Sequence, residues 1–275
     1  MTWRPLGAVL PTQLADARLQ LHFAAQLVSA PGTSLLPHQA DYGETNLAWD
    51  SELSVLAGRA VGGGSLVSAL VFESLELAVL KGGVEHASHA LAGSSMGEGL
   101  DWLAERLDAR DALRLPEHEL PGHPLAHGAP FSEADRNARA ELAAWFANAT
   151  EAVRGAIQRE PAASPVRCWP HHFDIASLIT LDPGVDAEDA RSIGVGFSPG
   201  DPSYAQPYFY ITPWPYPSPE SLPPLSSGAR WHREGWTGAV VLGEAIIAQR
   251  HERQAEFVAG ALREAMDASR AALEG

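Results

Sequence analysis

Residues 166–178 read VRCWPHHFDIASL and bring together the chain's single cysteine, Cys168, two adjacent histidines and Asp174. Taken as one strand, the stretch alternates, with Trp169, His171, Phe173, Ile175 and Ile179 on one face and Cys168, His172, Asp174 and Ala176 on the other. Alternation predicts that His171 and His172 diverge, so that they share no metal ion without a bulge. It also predicts His172 and Asp174 on one face, roughly 7 Å apart. Two chemistries suit that pair. A divalent metal would take imidazole and carboxylate together, with a third ligand drawn from Asp201, His232 or His251. General acid–base work would use Asp174 to orient the His172 imidazole and raise its basicity. Cys168 lies roughly 13 Å from His172 along a strand, too far for a thiolate–imidazole pair. The competing reading is structural: Asp174 accepts backbone N–H groups of a neighbouring turn, and His172 is incidental. His171, in apolar company, reads as a hydrogen-bonded residue at the core boundary, within reach of a ligand pocket.

Two further motifs bear on that pocket. GFSPGD, residues 196–201, suits a type II turn with Pro199 and Gly200 at its centre. Its functional reading puts Asp201 and the turn's N–H groups beside Asp174; its plain reading is a hairpin corner. PYFYITPWP, residues 207–215, places Phe209 and Ile211 on one face and Tyr208, Tyr210 and Trp214 on the other. An aromatic face rimmed by hydroxyls suits a small organic ligand, although the same stripe also packs under helices and loops. His118, His123 and His127 in EHELPGHPLAHG have metal-clip composition, but Pro121 and Pro124 argue against a helix and favour a solvated connector. The acidic run DPGVDAEDA lacks the spacing of a calcium loop.

Composition narrows the function classes. Lys plus Arg number 19 against 34 Asp plus Glu, a formal net charge of −15. Such a surface repels phosphate backbones and anionic lipid, so neither a nucleic-acid nor a membrane partner is expected. The single lysine, Lys81, is not part of a phosphate-cradling loop, and no nucleotide-binding motif occurs. One cysteine excludes an internal disulfide. The first twenty residues do not read as a secretory signal and no apolar run reaches 18 residues, so a cytoplasmic location is expected.

The elements that must position these residues follow from periodicity. Helical spacing runs over 12–32 (Leu14, Ala17, Leu21, Val28), ending at Pro31-Gly32. Strand-like runs follow at 45–49, 53–61, 65–72 and 75–80, with Gly62–Gly64 as a hairpin turn. A second helix is expected over 98–113. A Pro/Gly/His-rich connector, 115–131, separates an N-terminal half (1–114) from a C-terminal half (132–275). The latter opens with a helix over 132–158 capped by Ser132. A β region from about Val166 to Thr212, an extended Pro-rich loop at 213–224 and a long helix over 243–273 follow, with Ile247, His251, Gln254, Val258, Ala261 or Leu262, and Ala265 or Met266 along one side and His251 at the core rim. The order predicts an α+β protein of two similar helix–antiparallel sheet–helix halves, patterned as an internal duplication packed as one compact unit.

At SPVRCWPHHFDIA, GFSPGD and PYFYITPWP the chain resembles an uncharacterised bacterial domain-of-unknown-function family. The family's pattern falls on Ser164-Pro165-Val166, Phe173-Asp174-Ile175-Ala176, Gly196-Phe197-Ser198-Pro199-Gly200 and Phe209-Tyr210. The resemblance implies no activity, cofactor or partner. It marks Asp174 as the polar residue of the pattern, whereas family members commonly carry Gly-Ser where this chain has His171-His172. The function expected from the whole is small-molecule binding near Asp174 and the 196–201 turn, with Asp201, Tyr210, Trp214 and His171 around the ligand. The alternatives are a hydrolase, metal-dependent or acid–base, using His172 and Asp174, and a structural protein whose Pro-rich loop and last helix meet a protein partner or a second copy.

Overall fold

The computed structural model describes residues 3–109, 113–133, 135–186 and 189–274. Its helices and two antiparallel sheets make an α+β protein. The chain falls into two compact units: Gln13–Ala143 with Arg167–Phe173, and Met1–Thr12 with Ala144–Val166 and Asp174–Gly275. The connector 115–131 lies inside the first unit.

In the first unit, α1 (Ala15–Leu35) runs past the stop expected at Pro31-Gly32. Gly32 is a packing glycine here: a Cβ on it would collide with the Glu44 carbonyl oxygen, and its own carbonyl accepts the Leu36 N–H at the true end of the helix. The sheet is a meander of β1 (Ala48–Asp50), β2 (Val55–Val61), β3 (Leu66–Val71), β4 (Glu76–Lys81) and β5 (Val84–Ala90). Gly62, Gly63 and Gly64 turn β2 into β3 with φ of 59°, 71° and 84°, a region closed to most side chains. Leu56, Leu70 and Leu77 stand in register and fully buried on the face toward α1, where the Ser68 hydroxyl donates to the Val28 carbonyl at 2.8 Å. β5 escapes the hydrophobic pattern because it is an edge strand with most of both faces in solvent. The second helix, α2 (Met96–Arg106), starts earlier than expected on a Ser95–Glu98 capping box. Of its expected C-terminal extension, 110–112 lie outside the described residues.

Helix α3 (Arg136–Ile157) starts four residues beyond the expected cap. Ser132 is taken up by Gln20, whose amide donates to its hydroxyl and whose Oε1 accepts its N–H, and Asp135 accepts the Ala138 N–H at 2.9 Å instead. After α3 the short β6 (Arg167–Trp169) returns to the first unit through a two-bond bridge between Cys168 and Leu47.

The second unit carries β7 (Asp174–Thr180), β8 (Ser192–Ser198), β9 (Tyr208–Trp214), β10 (Arg230–His232) and β11 (Gly238–Leu242), adjacent in the order β10-β11-β9-β8-β7. Its order differs from the simple meander of the first sheet. Ile175, Phe197, Phe209 and Val241 line up across four strands and form its core face, packed by Trp145 and Phe146 of α3. The expected terminal helix is two, α4 (Gly243–Ile247) and α5 (His251–Glu274), parted where the Gln249 N–H closes a tighter turn onto the Ile246 carbonyl. Gln254, Val258, Ala261, Leu262, Ala265 and Met266 are buried along the expected side, whereas Ile247 is half-buried and His251 exposed. Gln254 also fixes the chain start, bonding both the N–H and the carbonyl of Leu6.

Candidate functional site

The strand expected over 166–178 is interrupted. β6 ends at Trp169, residues 170–173 form a turn, and β7 begins at Asp174. The cause is local: Phe173 takes φ +56°, and the N–H groups of His172 and Phe173 both return to the Trp169 carbonyl. A left-handed φ on a bulky residue is strained and ends strand alternation. The expected divergence of the two histidines therefore fails, and their rings lie 4.2 Å apart. The His172–Asp174 spacing argued from alternation fails with it.

The turn gathers partners that periodicity did not indicate. The Pro170 carbonyl accepts from His22 Nε2 at 2.8 Å and Gln26 Nε2 at 2.7 Å, both on α1. The His22 ring, 6% exposed, stacks on Phe173 at 5.3 Å, and His118 from the connector lies 5.5 Å from His171. Desolvation pushes His22 down to about 4, and desolvation followed by the repulsion of neighbouring imidazoles pushes His171 down to about 4 as well. Burial likewise lowers His118. At neutral pH these three rings are uncharged. His172 is exposed.

A second polar group occupies the outer face of the second unit's sheet, opposite the Phe197–Phe209 core. Asp174, 8% exposed, accepts the Tyr210 hydroxyl on Oδ2. Tyr210 reaches it by crossing its register partner Gly196, where a Cβ would strike the Tyr210 ring and stand 2.8 Å from the Ile175 carbonyl oxygen. Gly194 similarly lies under the Thr212 hydroxyl. The Tyr208 hydroxyl donates to Asp201 Oδ2 at 2.5 Å, while Asp201 Oδ1 accepts the N–H groups of Ser203 and Tyr204. Gly200 stands at φ +118°, but the Asp201 N–H goes to the Tyr204 carbonyl and not back to Ser198, so the type II turn expected of GFSPGD is not closed by its hydrogen bond. Tyr204 extends the group: its hydroxyl donates to His232 Nδ1 at 2.8 Å, since His232 Nε2 donates to the Glu234 carbonyl at 2.7 Å. Trp236 lies 4.2 Å from the His232 ring, and the Arg230 guanidinium stands 5.7 Å over Tyr204.

Burial, then the neighbouring carboxylates, push Tyr208 and Tyr210 far up, so both stay protonated and act as donors. Asp174 and Tyr210 are thus in direct contact, and Asp201 shares the face through Tyr208. Trp214 is at the far end of β9, 44% exposed and 5.2 Å from the Tyr216 ring. His171 belongs to the histidine turn. The expected third metal ligands do not converge, since His232 is held by Tyr204 and His251 is exposed; among the described residues no group of three His, Cys, Asp or Glu could hold a metal ion. His127 ends a single 3-10 turn, Pro124–His127, that His123 caps by accepting the Leu125 N–H. Sequence reasoning missed His22, Gln26, Tyr204 and Trp236. The Gly-x-Gly alternation of β8 opposite Tyr210 and Thr212 was the available signal for a cleared sheet face. No protein-family model, curated protein or solved structure matches the chain.

Proposed function

We propose that the outer face of the second unit's sheet binds a small organic ligand, with Asp174 as the central acceptor. The observation that carries this is the pairing of two carboxylates with two tyrosines on one sheet face, Asp174 with Tyr210 and Asp201 with Tyr208. Covering a sheet face needs only apolar side chains; this face gives up a side chain at Gly196 and engages two tyrosine hydroxyls to hold acceptors in place. The half-buried rings of Tyr210, His232 and Trp236 supply aromatic walls, and the fixed acceptors favour a ligand with N–H, O–H or cationic groups. Thermal unfolding with organic amines (putrescine, choline) and simple sugars as probes tests this. A saturable rise is expected for at least one class, worth about 2.7 kcal/mol at a hundredfold excess over Kd, and it should vanish in Asp174→Asn. If Asp174→Asn alters stability while no probe stabilises the parent protein, the pairing is structural.

The hydrolase reading has less support, since the strand geometry that set His172 beside Asp174 is absent. An interaction role draws on Trp214 and Tyr216, both exposed within the Pro-rich segment 213–224; a partner docking there would quench Trp214 and leave Asp174→Asn without effect.

A further inference from the structure

We infer that the Pro170–Phe173 turn is an acid-released latch: when the imidazoles packed around it take up protons, the turn leaves its seat on α1. This stands independently of the ligand-binding reading.

The latch is built from four histidines on three segments of the first unit. His22 holds the turn from α1, beside Gln26; His118 packs on it from the connector; His171 and His172 belong to the turn itself. Neutral imidazoles can stack at such distances, but imidazolium ions cannot do so cheaply away from water. The hydrogen bond from His22 Nε2 to Pro170 survives protonation, because that nitrogen is already the donor. What fails is the packing. A charge on His22 is enclosed and faces Arg18 on its own helix, and a charge on His171 faces His118, His172 and His22.

The Pro170 and His171 backbone favours a charge on His22, but burial outweighs it. Phe72 meets Phe173 without charge, Glu117 touches His118 only through its backbone, and Asp174, next in the chain, is engaged by Tyr210. The Phe173 ring face compensates a cation only weakly. The turn also stores local strain, since Phe173 sits at φ +56°. Releasing the contacts around it frees a strained residue, and Asp174 follows directly.

Hydrogen–deuterium exchange of the full chain at pH 7.5 and 4.5, corrected for the intrinsic pH dependence of exchange, tests the latch. The expected result is about tenfold faster exchange at low pH for peptides covering 166–173, with α5 peptides still protected. In His22→Gln with His171→Gln, which keeps polar side chains but removes the titrating rings, the acceleration should fall below about twofold. Equal protection at both pH values, an undiminished response in the double variant, or a loss shared by α5 would overturn the latch. Should the double variant not fold, the exposed His172→Gln decides: without that neighbour, the His22 and His171 ring C–H signals should titrate at higher pH, and unchanged titrations overturn the proposal.

Discussion

Gly196 and Tyr210 show how far a single residue can fix the sheet's outer face. Methyl addition in Gly196→Ala strikes the Tyr210 ring, forcing it off Asp174, and also crowds the Ile175 carbonyl, which as strand backbone cannot yield. The expected cost is about 1–3 kcal/mol in urea unfolding, as for other overpacked sites. Tyr210→Phe removes only the donor to Asp174 and should cost about 1–3 kcal/mol. A double-mutant cycle with Asp174→Asn should show that most of this is coupling between the two. His22 gives the pH dependence its sign. Its folded value, about 4, lies below the unfolded 6.5, so the unfolded chain binds more protons in that window. Stability is intact above about pH 6.5 and declines as pH falls toward 4, by up to about 3 kcal/mol from this group. Urea titrations of His22→Gln should show a shallower decline. The shared face of Tyr208 and Tyr210 was legible in the sequence from alternation within β9, whereas the meeting of Asp174 with Tyr210 depends on the register of β7, β8 and β9. The placement of His171 and His172 was not legible, because it depends on the φ of Phe173.

At the scale of elements, helix and strand types follow the hydrophobic period, while boundaries follow contacts that period does not encode. α1 passes Pro31-Gly32 because Gly32 is needed against the Glu44 carbonyl. α3 begins at Arg136 because Gln20 engages Ser132 and leaves the capping to Asp135. Asp135→Ala should therefore cost about 1 kcal/mol in thermal or urea unfolding, as removal of a helix cap does. β5, β10 and β11 were silent in the sequence for two reasons. β5 is an edge with little to bury. β10 and β11 are three and five residues long, too short to establish alternation.

For the whole molecule, the net charge of −15 makes self-repulsion a general term against the compact state. Raising NaCl from about 20 to 300 mM contracts the Debye length from about 20 Å to under 10 Å and should raise the melting temperature. Scanning calorimetry across that range checks the sign; a fall would mean that specific ion pairs outweigh the general repulsion.

Composition and pattern alone established the α+β class, the alternating faces of β9 and the acidity of the chain. These depend on composition and on periods of two or 3.6 residues, which are local. The tertiary structure decided which polar residues meet. Tyr210 finds Asp174 across 36 positions, and His22 finds Pro170 across 148. Such pairings depend on strand register and on one left-handed φ, which leave no periodic trace in the chain, and on a cleared glycine, whose only trace is the short Gly-x-Gly of β8.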